Sequence, residues 1–273
     1  MKRSALYFIA GACLLNTLPA TAELPEITRK PWAGYFIGIE ERKFQFGYLP
    51  NGEGELDPVD SRGEKISANN SIEIEFKVLE TAPDGKVVSK QIKPGSLTSS
   101  SPADKNPTKP ITISGKVTGD ATFQIIITPG SKTFSLSGAI TDQGSLKNPL
   151  TFLISANFNP YVYQSASDKD ELEKFEKKIK REEMLIELSS GKSEKIEFTE
   201  NANLSEKFPE PIKNLELKTA AYGGTEFEFS ATGDSKIIFE DRGKDYLWNS
   251  FTLHWIPDPS ASPDSQSLTI GGN

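Results

Sequence analysis

The sequence predicts a mainly β protein made of two antiparallel β-sandwich-like modules joined by one amphipathic helix. Three observations predict it. Residues 111–158 place apolar side chains at every second position: Ile111 and Ile113, then Phe123, Ile125 and Ile127, then Phe134, Leu136 and Ile140, then Leu150, Phe152, Ile154 and Phe158. Such alternation lines one face of each of four successive strands. One stretch alone, residues 167–181, carries the helical spacing, with Leu172, Phe175 and Ile179 three and four apart. Finally, the order of strand and turn signals over residues 72–158 recurs over 184–256, so a divergent internal duplication is expected.

The chain opens on an address. Lys2 and Arg3 precede an apolar run from Ala5 to Leu18, and Pro19 breaks it before the small residues Ala20-Thr21-Ala22. That is the layout of a secretory signal peptide over residues 1–22, cleaved after Ala22. The run falls short of the roughly 20 residues that span a bilayer, and no later stretch reaches that length, so the mature chain is expected to lack a transmembrane segment. Cleavage removes Cys13, the only cysteine. A cysteine-free mature chain has no disulfide and no thiolate, and must be held by packing. Export to a bacterial periplasm or to the medium is the expected localisation.

Residues 23–164 form the first predicted β-sandwich-like domain. Phe44, Phe46 and Tyr48 alternate with polar or small residues, and Pro50-Asn51-Gly52 reads as the turn that ends their strand. Ile72, Ile74, Phe76 and Val78 mark the next strand, with Glu73, Glu75 and Lys77 on its other face. Pro83-Asp84-Gly85 turns the chain back toward Lys86 to Ile92. Residues 94–110 read as a polar loop. The linker helix is placed at residues 165–183, capped by Ser167, with Asp168, Asp170 and Glu171 at its start and Lys177, Lys178, Lys180 and Arg181 toward its end, as the helix dipole favours. A C-terminal β domain is expected over 184–258. Residues 259–273, rich in Pro, Ser, Asp and Gly, are expected to form a flexible tail.

Charge excludes one partner class. The chain carries −7 at neutral pH, and losing the two charges of Lys2 and Arg3 leaves −9, with no basic run to follow a phosphate backbone. Nucleic acid is therefore not an expected ligand.

The chemical candidates are few. His254 is the only histidine, so any Ser-His-Asp arrangement must use it, yet it sits mid-strand between Leu253 and Trp255 with no nucleophile motif nearby. Glu73 and Glu75 lie two apart on one strand, about 6.6 Å along it, which is within reach of a paired-carboxylate glycosidase mechanism. Glu226 and Glu228 repeat the spacing, and a solvated outer face explains both pairs. Asp57, Asp60 and Glu64, or Asp168, Asp170 and Glu171, offer oxygens for a structural calcium, but neither set follows a known loop pattern. No catalytic residue, metal ligand or cofactor is assigned.

Four aromatics near strand ends, Tyr161, Tyr163, Tyr246 and Trp248, are the predicted binding residues, able to stack on a sugar ring or a partner side chain. The expected function is a non-catalytic binding or assembly module of the bacterial envelope or secretome, with a protein or glycan partner there. The alternative is a carbohydrate-binding module or a carbohydrate-active hydrolase using paired carboxylates.

Overall fold

The computed structural model describes residues 37–66, 70–100, 108–158, 173–174, 177, 179–247 and 250–273. In chain order the strands are β1 (Ile37–Glu40), β2 (Phe44–Tyr48), β3 (Glu53–Pro58), β4 (Ile72–Thr81) and β5 (Val87–Lys90). There follow β6 (Thr98–Ser99), β7 (Ile111–Lys116), β8 (Thr122–Pro129), β9 (Thr133–Asp142) and β10 (Leu150–Phe158). The remainder are β11 (Glu183–Leu188), β12 (Ser193–Glu197), β13 (Asn201–Ala202), β14 (Ile212–Lys218), β15 (Glu226–Thr232), β16 (Lys236–Phe239), β17 (Asp245–Tyr246), β18 (Phe251–Ile256) and β19 (Ser267–Gly272). Among the described residues no helix is long and apolar enough to cross a membrane.

The mainly β expectation holds, in the form of one curled antiparallel sheet that connects all of these strands except the separate pair β13 and β17. One arm runs β1-β2-β3-β4-β10-β18-β16, with β5 also on β4. The other runs β6-β7-β8-β9-β19-β15-β14-β11-β12. They meet at β14, where Ile212 pairs with Ile237 of β16 before Asn214 to Lys218 pair with β15.

The ladders therefore cross the boundary drawn at residues 165–183. Ile154 to Phe158 of β10 pair with Phe251 to Trp255 of β18, and β19 pairs with β9. Within that expected linker helix, residues 173, 174, 177 and 179 are helical, and Ile179 is fully buried. Its proposed cap and the rest of its apolar stripe lie outside the described residues. The expected duplication is matched in local hairpins and is not confirmed as a whole. Gly85 and Gly191, at φ +84° each, close the hairpins β4–β5 and β11–β12 with nothing near enough to hinder them. However, β4 goes on to pair with β3 and β10, whereas β11 pairs with β14.

The predicted apolar faces are inward. Ile113, Ile125, Ile127, Phe134, Leu136 and Ile154 are all completely buried, and Ile140 and Leu150 pack at the margin. Aromatic rings join the two arms: Phe46 of β2 stacks on Phe134 of β9 with centroids 4.5 Å apart, and Phe158 of β10 meets Phe229 of β15 edge-on at 5.2 Å.

One expectation needs correcting. Part of the stretch read as a flexible tail is β19, a strand inserted between β9 and β15, with Leu268 and Ile270 buried. Its apolar alternation is only two residues long and ends in Gly271-Gly272, so composition hid it. The second of these glycines is needed where it stands. A Cβ on Gly272 would lie 2.6 Å from the Phe44 ring.

Phe134 touches both Phe44 and Phe46 across the arms, so Phe134→Ala should cost about 3–5 kcal/mol of unfolding free energy. Val87→Ala, at a position 54% exposed, should cost under about 0.5 kcal/mol. Urea unfolding of the two variants checks this, and similar losses would mean that the aromatic contact does not hold the arms together.

Candidate functional site

Of the four predicted binding aromatics, Tyr161, Tyr163 and Trp248 lie outside the described residues. Tyr246 is placed through its backbone, which pairs with Asn201. Tyr246 alone of the four therefore falls among the described residues.

His254 does acquire partners. On the outer face of β4, β10 and β18, register sets Ser155 beside both Glu75 and His254. The Ser155 hydroxyl and His254 Nδ1 share a hydrogen bond of 3.0 Å. Thr252 Oγ1 donates to Asn157 Oδ1 at 3.0 Å, and Asn157 Nδ2 donates to Glu75 at 2.8 Å. Lys77 Nζ lies 2.7 Å from Glu75. A serine, a histidine and a carboxylate in one row invite comparison with a triad, but Ser155 is wholly inaccessible. It also sits mid-strand, where its backbone neighbours serve the ladder and cannot form an oxyanion hole. The row is a cross-strand polar network.

Burial by itself would raise the Glu75 carboxyl, but the hydrogen bonds from Lys77 and Asn157 outweigh it and hold it below the ordinary value. A general acid needs the opposite shift. Glu73 is exposed, and Glu226 is tied to Lys218 at 2.7 Å. Neither strand pair has the environment that sets two carboxylates to unequal tasks.

Two of the acids weighed for calcium, Asp57 and Asp60, are engaged with protein. Buried Asp57 accepts from Ser71 and pairs with Lys65 at 2.7 Å, and Asp60 Oδ1 accepts the backbone N–H groups of Arg62 and Glu64 at 2.8 and 3.1 Å. Asp168, Asp170 and Glu171 lie outside the described residues.

What the structure adds is a crevice of about 580 Å³ at one end of the curl. Three segments distant in sequence build it. Ile140 at the end of β9 and Leu150 and Phe152 at the start of β10 give an apolar floor, continued by Ile256 of β18. Pro257, Pro259, Ala261 and Pro263 form a wall. Asp234, Lys236 and Asp258 supply the charge around it.

The wall is fastened rather than loose. Gln266 accepts the Asp258 N–H at 2.8 Å and donates to the Asp258 carbonyl at 2.9 Å, bracing both ends of the loop. The Asp258 carboxylate accepts the Ser260 hydroxyl at 2.6 Å and its N–H at 2.8 Å. These bonds, the hydroxyl's first, hold Asp258 below the usual carboxylate range, so it is ionised and unsuited to donating a proton. Sequence reasoning missed the crevice, and the spaced prolines 257, 259 and 263 were its only local signal.

No protein-family model matches the chain, and no curated protein matches it. Among solved structures, a bacterial glucoamylase complexed with acarbose is similar over 87% of this chain and 32% of that one, at 8% identity and a TM-score of 0.45. The chain thus spans about a third of the glucoamylase. A galactose mutarotase related enzyme from Lactobacillus acidophilus is similar over 86% of this chain and 96% of its own, at 10% identity and a TM-score of 0.42. Likeness at this level bears on none of the residues around the crevice.

His254 provides a pH test of the outer network. Burial lowers its pKa below 6.5, opposed by Glu240 and Glu75 and reinforced by Lys77. Between the lowered native value and 6.5 the unfolded chain binds more protons, so stability should rise with pH there and be lost as pH falls through the native value. Denaturant midpoints measured from pH 7 to 5 should fall for the parent and stay flatter for His254→Gln. Identical slopes would show that the imidazole is not buried in this way.

Proposed function

We propose that this chain is an exported, non-catalytic binding module, released after Ala22, whose ligand seats in the crevice between the end of β9, the start of β10 and the 257–266 loop. The crevice carries the reading. An apolar floor with a few charged groups at its margin, in a wall fixed by its own hydrogen bonds, is how proteins build ligand sites. Its volume falls in the range of about 300–1,000 Å³ found for such sites.

A second reading has one observation in its favour. Asp234 and Asp258 line the same space, so a glycan-binding site, or a hydrolase using the two carboxylates, can be drawn there. Asp258, held ionised by Ser260, fits binding better than acid catalysis.

Three measurements test these readings. Export predicts that the N-terminus of the protein recovered outside the cytoplasm is Glu23, and a product retaining Met1 would overturn it. Binding in the crevice predicts that Ala261→Trp, which fills the space from a half-buried loop position, abolishes thermal shifts given by any small ligand while leaving the unliganded melt within a few degrees. A ligand at 100 times its dissociation constant adds about 2.7 kcal/mol, enough for a clear shift. Shifts that survive Ala261→Trp would place binding elsewhere. Release of reducing sugar by the parent and not by Asp234→Asn or Asp258→Asn would promote the hydrolase.

A further inference from the structure

The charge around the crevice is uneven. Asp234 and Asp258 face one Lys236, and Asp264 stands on the adjoining turn beside Pro263. None of these groups is spent on another: among the described residues Asp234, Lys236 and Asp258 take part in no ion pair. The Asp258 carboxylate is oriented by Ser260, so one negative charge has a fixed place. The long-range field has the same sign, since the whole chain is at −7, and such a field favours arrival of cations over anions.

The floor selects the other half of the ligand. Ile140, Leu150, Phe152 and Ile256 offer aliphatic and edge contacts. Among the described residues that line it, Phe152 is the aromatic one and is 4% exposed, so these residues offer no broad aromatic face for a sugar ring to stack on. Burying apolar carbon in this space is favourable in proportion to the area removed from water.

We infer that the crevice takes an organic cation, a small molecule with an apolar body that carries an ammonium group. The apolar body lies on Ile140, Leu150, Phe152 and Ile256, and the ammonium is held between Asp234 and Asp258. Lys236 disfavours the same ligand and so limits its affinity. This rests on the crevice being the binding site, and the experiment separates the two claims.

Three probes share one tail and differ in head: octylammonium, octanoate and octyl glucoside, each below its micelle concentration. Binding to residues 23–273 is measured by ligand-observed NMR, with Ala261→Trp as the blocked control. Exposed ion pairs contribute modestly, so octylammonium should bind about 5-fold more tightly than octyl glucoside, and octanoate most weakly of the three. Asp234→Asn and Asp258→Asn should each weaken octylammonium about 2- to 5-fold, and Lys236→Gln should tighten it. Asn at 258 keeps an acceptor for Ser260, so the wall is preserved. If octanoate or octyl glucoside binds as well as octylammonium and Ala261→Trp blocks it, the cation inference falls while the crevice stands. If no probe binds in a manner that Ala261→Trp abolishes, both fall.

Discussion

The contact on which the fold depends is the meeting of Phe44, Phe46 and Phe134 with the bare backbone at the end of β19. Phe44 and Phe46 belong to one arm of the curl and Phe134 to the other. The Phe44 ring reaches its place because Gly272 has no side chain to oppose it. The last strand is therefore both a rung of the ladder, paired with β9 and β15, and the surface against which the opposite arm closes. A chain whose only cysteine lies at position 13 draws no disulfide support for this closure, so burial of rings from both arms must supply it.

The crevice follows from the same closure. β9 and β10 are consecutive in sequence but lie in different arms, and their adjoining ends diverge around the 257–266 loop. That loop joins β18 of one arm to β19 of the other. A connection between separated arms cannot pack as tightly as a hairpin. Here its course is set by three prolines and by Gln266 bracing Asp258. The opening is a place where the topology leaves room and the loop chemistry keeps it from collapsing.

Much of the strand content was legible because burial on one face leaves a two-residue period. Ile72 to Val78, Ile111 to Ile127 and Met184 to Leu188 all show it and all form strands with those residues inward. Hairpin turns were legible where glycine takes a positive φ, as at Gly52 and Gly85. Sheet membership was not, because pairing partners such as Phe158 and Phe251 are determined by closure of the whole sheet, which local periodicity does not encode. β19 escaped because Ser267 to Gly272 holds only Leu268 and Ile270 as alternating apolar residues. The crevice escaped for a related reason: Ile140, Phe152, Lys236 and Asp258 become neighbours only after the arms close. His254 shows the converse. Its outward direction follows from the alternation of Phe251, Leu253 and Trp255, while its partner Ser155, 99 residues away, has no local signal.

The exposed edges at β5 and β12 bear on where the proposed binding would occur. An assembly module working by strand addition needs an open, flat edge with few charges. β5 is four residues long and carries exposed Val87 and Val88, but Lys86 precedes it and Lys90 at its end is paired with Glu80. β12 presents Lys195, paired with Glu183, and follows Lys192, paired with Glu194. Desolvating such charges to seat a new strand is costly, and these two strands, of four and five residues, are short for a pairing edge. The crevice asks for less desolvation, since its apolar floor gains from being covered and its carboxylates lie at the margin. Of β5, β12 and the crevice, the crevice is the surface that costs least to cover, which supports the proposed binding site.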